Sequence, residues 1–346
     1  MLQYQPAVGL SKVVHHFDRS LLSALNAALS DSAAIEPRRI LDLLAQHPTL
    51  SRFYNCPAGV YEKNGRLTIL EHTSGVLEGL EKYPIAESLR FNGGQPLLDL
   101  RALTLILGLH DVGKTLPSDY IGTFSAGMLK HEQHARTLAI LAALREQLPI
   151  SDRQFDLAQV LIGGDLIGSL LKLASAVRPT PLEKDRSPNF VDAQNVPLLT
   201  KQQAEALHRA GRFSTAAYRD LIDGWETYVA GHRAAPEALQ PAVCHTAQEL
   251  LQAAGRLGIP AVTLLQHQML YFQCDARAYT ADAFNGTPSL DYLFLRVTAK
   301  NFAEQQFLFS KERGRFIFSP LFEAVHTALE RELLAAQKGS SLYSGS

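Results

Sequence analysis

Leu107-Gly-Leu-His-Asp-Val-Gly-Lys114 ends a leucine-rich run on an adjacent imidazole and carboxylate, then follows them at once with a glycine and a lysine. A His-Asp pair offers a divalent ion one neutral nitrogen and one anionic oxygen, and Lys114 stands where it can meet the negative charge of a phosphate. In isolation the doublet reads more readily as a cap at a helix C-terminus, where a histidine interacts with the dipole. Its company changes the reading. Ile69-Leu-Glu-His72-Thr73 lies upstream and Lys130-His131-Glu132-Gln-His134 downstream, each in a stretch with helical apolar spacing.

Working outward from the doublet, Leu97 to His110 predicts a dense apolar helix that presents His110 and Asp111 at its end, with Gly113 as the stop. A helix from about Leu67 to Glu81 carries His72. Two more follow the doublet, Lys130 to Gln147 and Asp152 to Ala176, the second holding Leu161-Ile-Gly-Gly-Asp165. Leu21 to Leu29 and Pro37 to His47 predict two short N-terminal helices. Residues 55–68, with Pro57, Gly59 and Gly65, read as a loop or small hairpin. Thr115 to Met128, with Pro117, Gly122 and Gly127, reads as a loop over the metal-bearing helix end and a candidate substrate rim. The proline-rich stretch 178–200 is an exposed loop or lid. Helical patterning resumes through Ala230 and again from Pro241 to about Ala278. Near the C-terminus, aromatic clusters around Lys311-Glu-Arg-Gly314 suggest a β-hairpin, and Pro320 to Gln337 a final amphipathic helix. The expectation is a mainly α protein in four parts: an N-terminal helical segment 1–64, a metal-binding helical domain 65–280, a hairpin-helix extension 281–338, and a disordered tail 339–346.

Composition narrows the function classes. Against 33 basic residues stand 34 acidic ones, a net charge of −1 that gives no global pull toward nucleic acid or an anionic membrane. Cys56, Cys244 and Cys274 are isolated, which argues against a disulfide framework or a thiolate zinc site and for a reducing cytoplasm. The N-terminus has no secretion-signal pattern, and no apolar run has the length of a membrane span. Gly-x-Gly-x-x-Gly, Walker-type and Gly-x-Ser-x-Gly motifs are all absent, so a nucleotide would have to be held by metal and basic side chains.

His72, the His110-Asp111 doublet with its Gly113-Lys114 sequel, and the later His131-Glu132 resemble, in that order, the HD superfamily of metal-dependent phosphohydrolases. The resemblance covers roughly residues 65–280 and implies an all-helical core in which a first His, the His-Asp doublet and a later Asp hold one ion. For the closing ligand it offers Asp275, within Leu270-Tyr-Phe-Gln-Cys-Asp275-Ala-Arg, and as the rival Asp165, whose other reading is as a ligand of a second ion. His131, with His134 beside it on the same helical face, would contact that second ion or the substrate phosphate. Glu71 and Glu132 are candidates to orient the imidazoles. A histidine-carboxylate set suits manganese, iron, cobalt, nickel, zinc or magnesium and disfavours calcium. The resemblance further implies hydrolysis of a phosphomonoester or phosphodiester, of a nucleotide or a short or cyclic oligonucleotide, with Asp111, Lys114 and His131 in catalytic roles. The competing readings are a weakly active nucleotide sensor or protein-interaction module on the same scaffold, and a single-strand nuclease. His15, His16, His208, His232, His245 and His267 read as structural, and Tyr271 and Phe272 as core.

Overall fold

Apolar side chains at three- and four-residue intervals make helices of most of the described residues, and the fold is mainly helical. The computed structural model describes residues 15–30, 36–58, 67–82, 99–124, 133–164, 166–177, 209, 239–283, 309–310, 315–316 and 320–343. Within these run α1 (Arg19–Ser30), α2 (Pro37–Gln46), α3 (Pro48–Tyr54), α4 (Ile69–Lys82), α5 (Leu100–Leu109), α6 (Gln133–Leu144), α7 (Asp152–Gly163), α8 (Leu166–Val177), α9 (Gln240–Leu257), α10 (Ala261–Ala283) and α11 (Pro320–Tyr343). The proline-rich stretch 178–200 lies outside the described residues. No helix among those described is long and apolar enough to cross a membrane.

The chain divides into two units, Met1–Asp165 with Gly255–Tyr279 and Leu166–Ala254 with Thr280–Ser346. In the first, α5 is the axle. Every residue from Ala102 to Leu109 is buried, and α2, α4 and α7 all pack against it, with α6 on α7. A helix apolar on every side belongs in the middle of a bundle. Its start is fastened by polar bonds: Asp99 Oδ1 accepts from Ala102 N at 2.9 Å and Asp99 Oδ2 from Gln154 Nε2 of α7 at 2.7 Å. Asp99 N in turn donates to His267 Nε2 of α10 at 3.1 Å. His267 is buried, and its Nδ1 donates to Thr263 O, so this histidine serves the fold. In the second unit α8 packs on α11, and Gln240 Nε2 donates to Glu332 Oε1 at 2.7 Å to tie α9 to α11.

Several boundaries differ from the sequence expectation, each for a local reason. Proline initiates helices as readily as it ends them, so Pro48 opens α3 directly behind α2. The run expected from Asp152 to Ala176 is two helices broken at Gly164, which is extended. The run from Pro241 to Ala278 breaks at Gly258, whose φ of 63° terminates α9, and Pro260 precedes α10. The last helix continues past Gln337 to Tyr343, so residues 339–343 are helix and not tail. Extending an existing helix costs little, even through Gly339-Ser-Ser. Of the C-terminal hairpin, the described residues include only Phe309–Ser310 paired with Arg315–Phe316. Two residues a side do not establish a hairpin element.

His47 closes α2 and caps α3. Its Nδ1 accepts from Leu50 N, its Nε2 donates to His15 O at 3.0 Å, and Phe17 stacks on the ring with centroids 4.0 Å apart. Burial pushes its pKa down to about 4, against the opposing pull of the His15 carbonyl. A histidine at about 6.5 when unfolded and lower when folded contributes full stability above about pH 6.5 and loses it as pH falls toward about 4, by at most about 3 kcal/mol. His47→Asn keeps an acceptor for Leu50 N but cannot protonate. In urea unfolding at a series of pH values, the natural chain should therefore lose more stability than His47→Asn between pH about 6.5 and about 4, and parallel curves would refute the assignment.

Candidate metal centre

The last carbonyls of a helix lack partners within it, and at the end of α5 each finds one that shapes the site. Tyr54 Oη donates to Gly108 O at 2.7 Å and Val112 N to Leu109 O at 3.3 Å. Leu107 O accepts from His110 Nδ1 at 2.6 Å. That last bond fixes the histidine: in its neutral form Nδ1 carries the hydrogen and Nε2 points a lone pair away from the helix.

Four side chains from two helices and the turn that ends a third meet there. His72 comes from the first turn of α4, His110 and Asp111 from the end of α5, and Asp275 from α10, and their donor atoms all lie within 4.8 Å of one another. His72 Nε2 is 3.2 Å from Asp111 Oδ2 and 3.5 Å from Asp275 Oδ1, while His110 Nε2 is 3.6 Å and 3.4 Å from the same two oxygens. Nitrogen and oxygen therefore alternate around a ring. Donors about 2.1 Å from a shared ion sit about 3.0 Å apart on adjacent octahedral positions and about 3.4 Å apart on a tetrahedron, so these spacings suit a first-row divalent ion. His110 Nε2 and Asp275 Oδ1 are buried without a hydrogen-bond partner. Two lone pairs facing each other in a buried site form an arrangement that a cation between them would satisfy. The donor set, nitrogen and carboxylate oxygen without thiolate, fits such an ion as well.

The electrostatics agree. Burial pushes the Asp111 carboxyl up, but His110, His72 and Lys114 outweigh it and hold it well below the usual carboxylate range. Asp275 is likewise raised by burial and drawn below its ordinary value by His110 and His72. Burial works against charge on His72, yet the Asp111 and Asp275 carboxylates hold its pKa up at about 9. Without an ion, the two acids keep a proton on His72. Lys114 Nζ adds a further positive charge 3.0 Å from Asp111 Oδ2. Exposure is uneven: the His72, His110 and Asp111 side chains are 0%, 2% and 5% exposed, and Asp275 is 30% exposed, so the centre opens on the Asp275 side.

Of the residues expected from sequence, His72, His110, Asp111 and Asp275 come together, with Lys114 touching Asp111. Among the described residues Asp275 joins Asp111 in facing His110; Asp165, its rival, lies outside the described residues, as do His131 and Glu132. His134 is exposed on α6 and stands outside the four-residue cluster. Glu71 is not turned to the imidazoles: its Oε2 accepts from Thr68 N at 2.7 Å while Glu71 N donates to Thr68 Oγ1, a capping box that starts α4 and so sets His72. The Thr68-x-x-Glu71 spacing carried that signal. Tyr271, expected as core, sets its ring edge-on to His110 with centroids 6.1 Å apart. Its spacing one turn before Asp275 was the only hint. Comparison of the chain with protein-family models, with curated proteins and with solved structures finds no match.

A metal held by His72 would replace the proton that the acids keep on it, so binding would release that proton. Affinity for Mn²⁺ measured by titration should rise by up to about tenfold per pH unit from pH about 7 toward about 9 and level off above that. An affinity independent of pH through this window would show that His72 is not a ligand.

Proposed function

We propose that this chain is a metal-dependent phosphohydrolase of the HD type, cleaving a phosphomonoester or phosphodiester of a nucleotide or a short or cyclic oligonucleotide. The supporting observation is the convergence of His72, His110, Asp111 and Asp275, in the order of the HD signature, on one buried ring with a lysine at its edge. An ion held there would lower the pKa of coordinated water from about 15.7 toward about 7 and so supply hydroxide near neutrality.

The rest falls to the chain. His110 offers Nε2 because Leu107 O holds its other nitrogen, and the two carboxylates keep the centre anionic enough to retain a cation. Lys114, with its side chain 11% exposed beside Asp111, brings positive charge to where a phosphoryl group would accumulate negative charge. Burial of the other three ligands leaves the Asp275 side as the direction of approach. His131 and Asp165 are kept, on the sequence pattern alone, as candidates to meet a second ion or the substrate.

The test is elemental analysis of chain purified without chelator, followed by a screen of phosphomonoesters, phosphodiesters and nucleotides with added Mn²⁺. Asp111→Ala should lower metal affinity by more than about 100-fold and abolish hydrolysis while circular dichroism stays helical, since a ligand matters more than the outer partners whose loss costs about 10–100-fold. Metal and turnover retained by Asp111→Ala would sink the proposal. Metal bound by the natural chain without turnover of any ester would point to a sensor, and cleavage of long single strands to a nuclease.

A further inference from the structure

The turn that carries Asp111 and Lys114 is held by α6 as well as by its own helix. Gly113 N donates to Thr137 Oγ1 at 3.0 Å. Arg136, only 9% exposed, donates from Nε to Gly113 O at 2.8 Å and from a terminal nitrogen to Lys114 O at 3.0 Å. The two backbones touch: a Cβ on Gly113 would lie 2.3 Å from Thr137 N and 2.8 Å from Arg136 C. The turn is therefore seated on Arg136–Thr137 with no slack, and its remaining amide, Lys114 N, bonds back to Asp111 O.

From this we infer that Arg136 is a positioning residue for the metal centre, acting through the Gly113–Lys114 backbone to set where Asp111 and Lys114 stand; the inference rests on the metal-centre reading. A planar guanidinium can reach two successive carbonyls at once, which the single point charge of a lysine cannot. Burying the Arg136 guanidinium lowers its pKa only against an ordinarily very high value, so the charge is kept. Arg136 meets peptide carbonyls at the distances given and is assigned no contact with the ion.

The experiment measures Mn²⁺ affinity, by competition with a fluorescent chelator, on the full-length natural chain, Arg136→Lys and Thr137→Val, beside the circular dichroism and thermal midpoint of each without metal. Arg136→Lys should bind Mn²⁺ about 10–100-fold more weakly while remaining folded, the loss typical of partners that orient ligands. Thr137→Val, which removes the acceptor for Gly113 N and nearly preserves shape, should weaken binding in the same direction and carries the test if Arg136→Lys does not fold. A folded variant with a lowered midpoint and unchanged affinity would show a structural role alone and overturn the inference. Failure of the natural chain to bind any divalent ion would overturn the metal-centre reading itself, and so is told apart from failure of the positioning role.

Discussion

Two carboxylates buried within a few ångströms of each other repel strongly unless a cation stands between them. Asp111 is buried and Asp275, partly exposed, has a buried Oδ1 beside it, and the surrounding residues make sense as answers to that closeness. Two imidazoles alternate with the acids, a lysine lies against Asp111, and His72 keeps its proton to about pH 9. Replacing a proton by a divalent ion would satisfy the same demand with more charge and better geometry. The acids, otherwise a costly pairing, therefore make a place that a cation could hold.

That arrangement depends on the register of α5 against α10, and the register is fixed away from the centre. At the start of α5, Asp99 N bonds to His267 of α10 while the Asp99 carboxylate caps α5 and accepts from Gln154. From Asp99 to His110 a helix climbs about 16 Å, and from His267 to Asp275 about 12 Å, at 1.5 Å a residue. Two helices joined at their lower ends and rising together bring His110 and Asp275 to similar height. Burial of His267 and the occupation of both its nitrogens give this joint the rigidity that ligand placement needs.

What the sequence made legible was local. The doublet, the helical spacing on either side of it and the apolar run of α5 are written in consecutive residues, and they led to three of the four ring members. Asp275, the fourth, was favoured over Asp165 on the resemblance of its Leu270-Tyr-Phe-Gln-Cys-Asp275 run and not on local spacing, because both acids follow apolar runs; Asp275 joins the ring, while Asp165 lies outside the described residues. Helix breaks at Gly164 and Gly258 were hidden by continuous apolar periodicity, which records a buried face and not the backbone's direction. Glu71 shows the reverse error: a carboxylate beside a ligand histidine invites an electrostatic role, but the Thr68-x-x-Glu71 spacing had already committed it to the helix start.

Arg136 was invisible for a more general reason. It contacts peptide groups, and peptide groups are the same at every position, so no residue pattern marks their partner. The peptide groups of the doublet's turn are nonetheless what must be satisfied before its side chains can face inward: Tyr54, Thr137, Arg136 and His110 Nδ1 together take up Gly108 O, Gly113 N, Gly113 O, Lys114 O and Leu107 O. With the backbone so occupied, the turn has no need to borrow the Asp111 carboxylate for a cap, the use to which Asp99 is put at the other end of the same helix. The same residue type caps at one end of α5 and serves the ring at the other, and the difference lies in which neighbours have already met the backbone's demands.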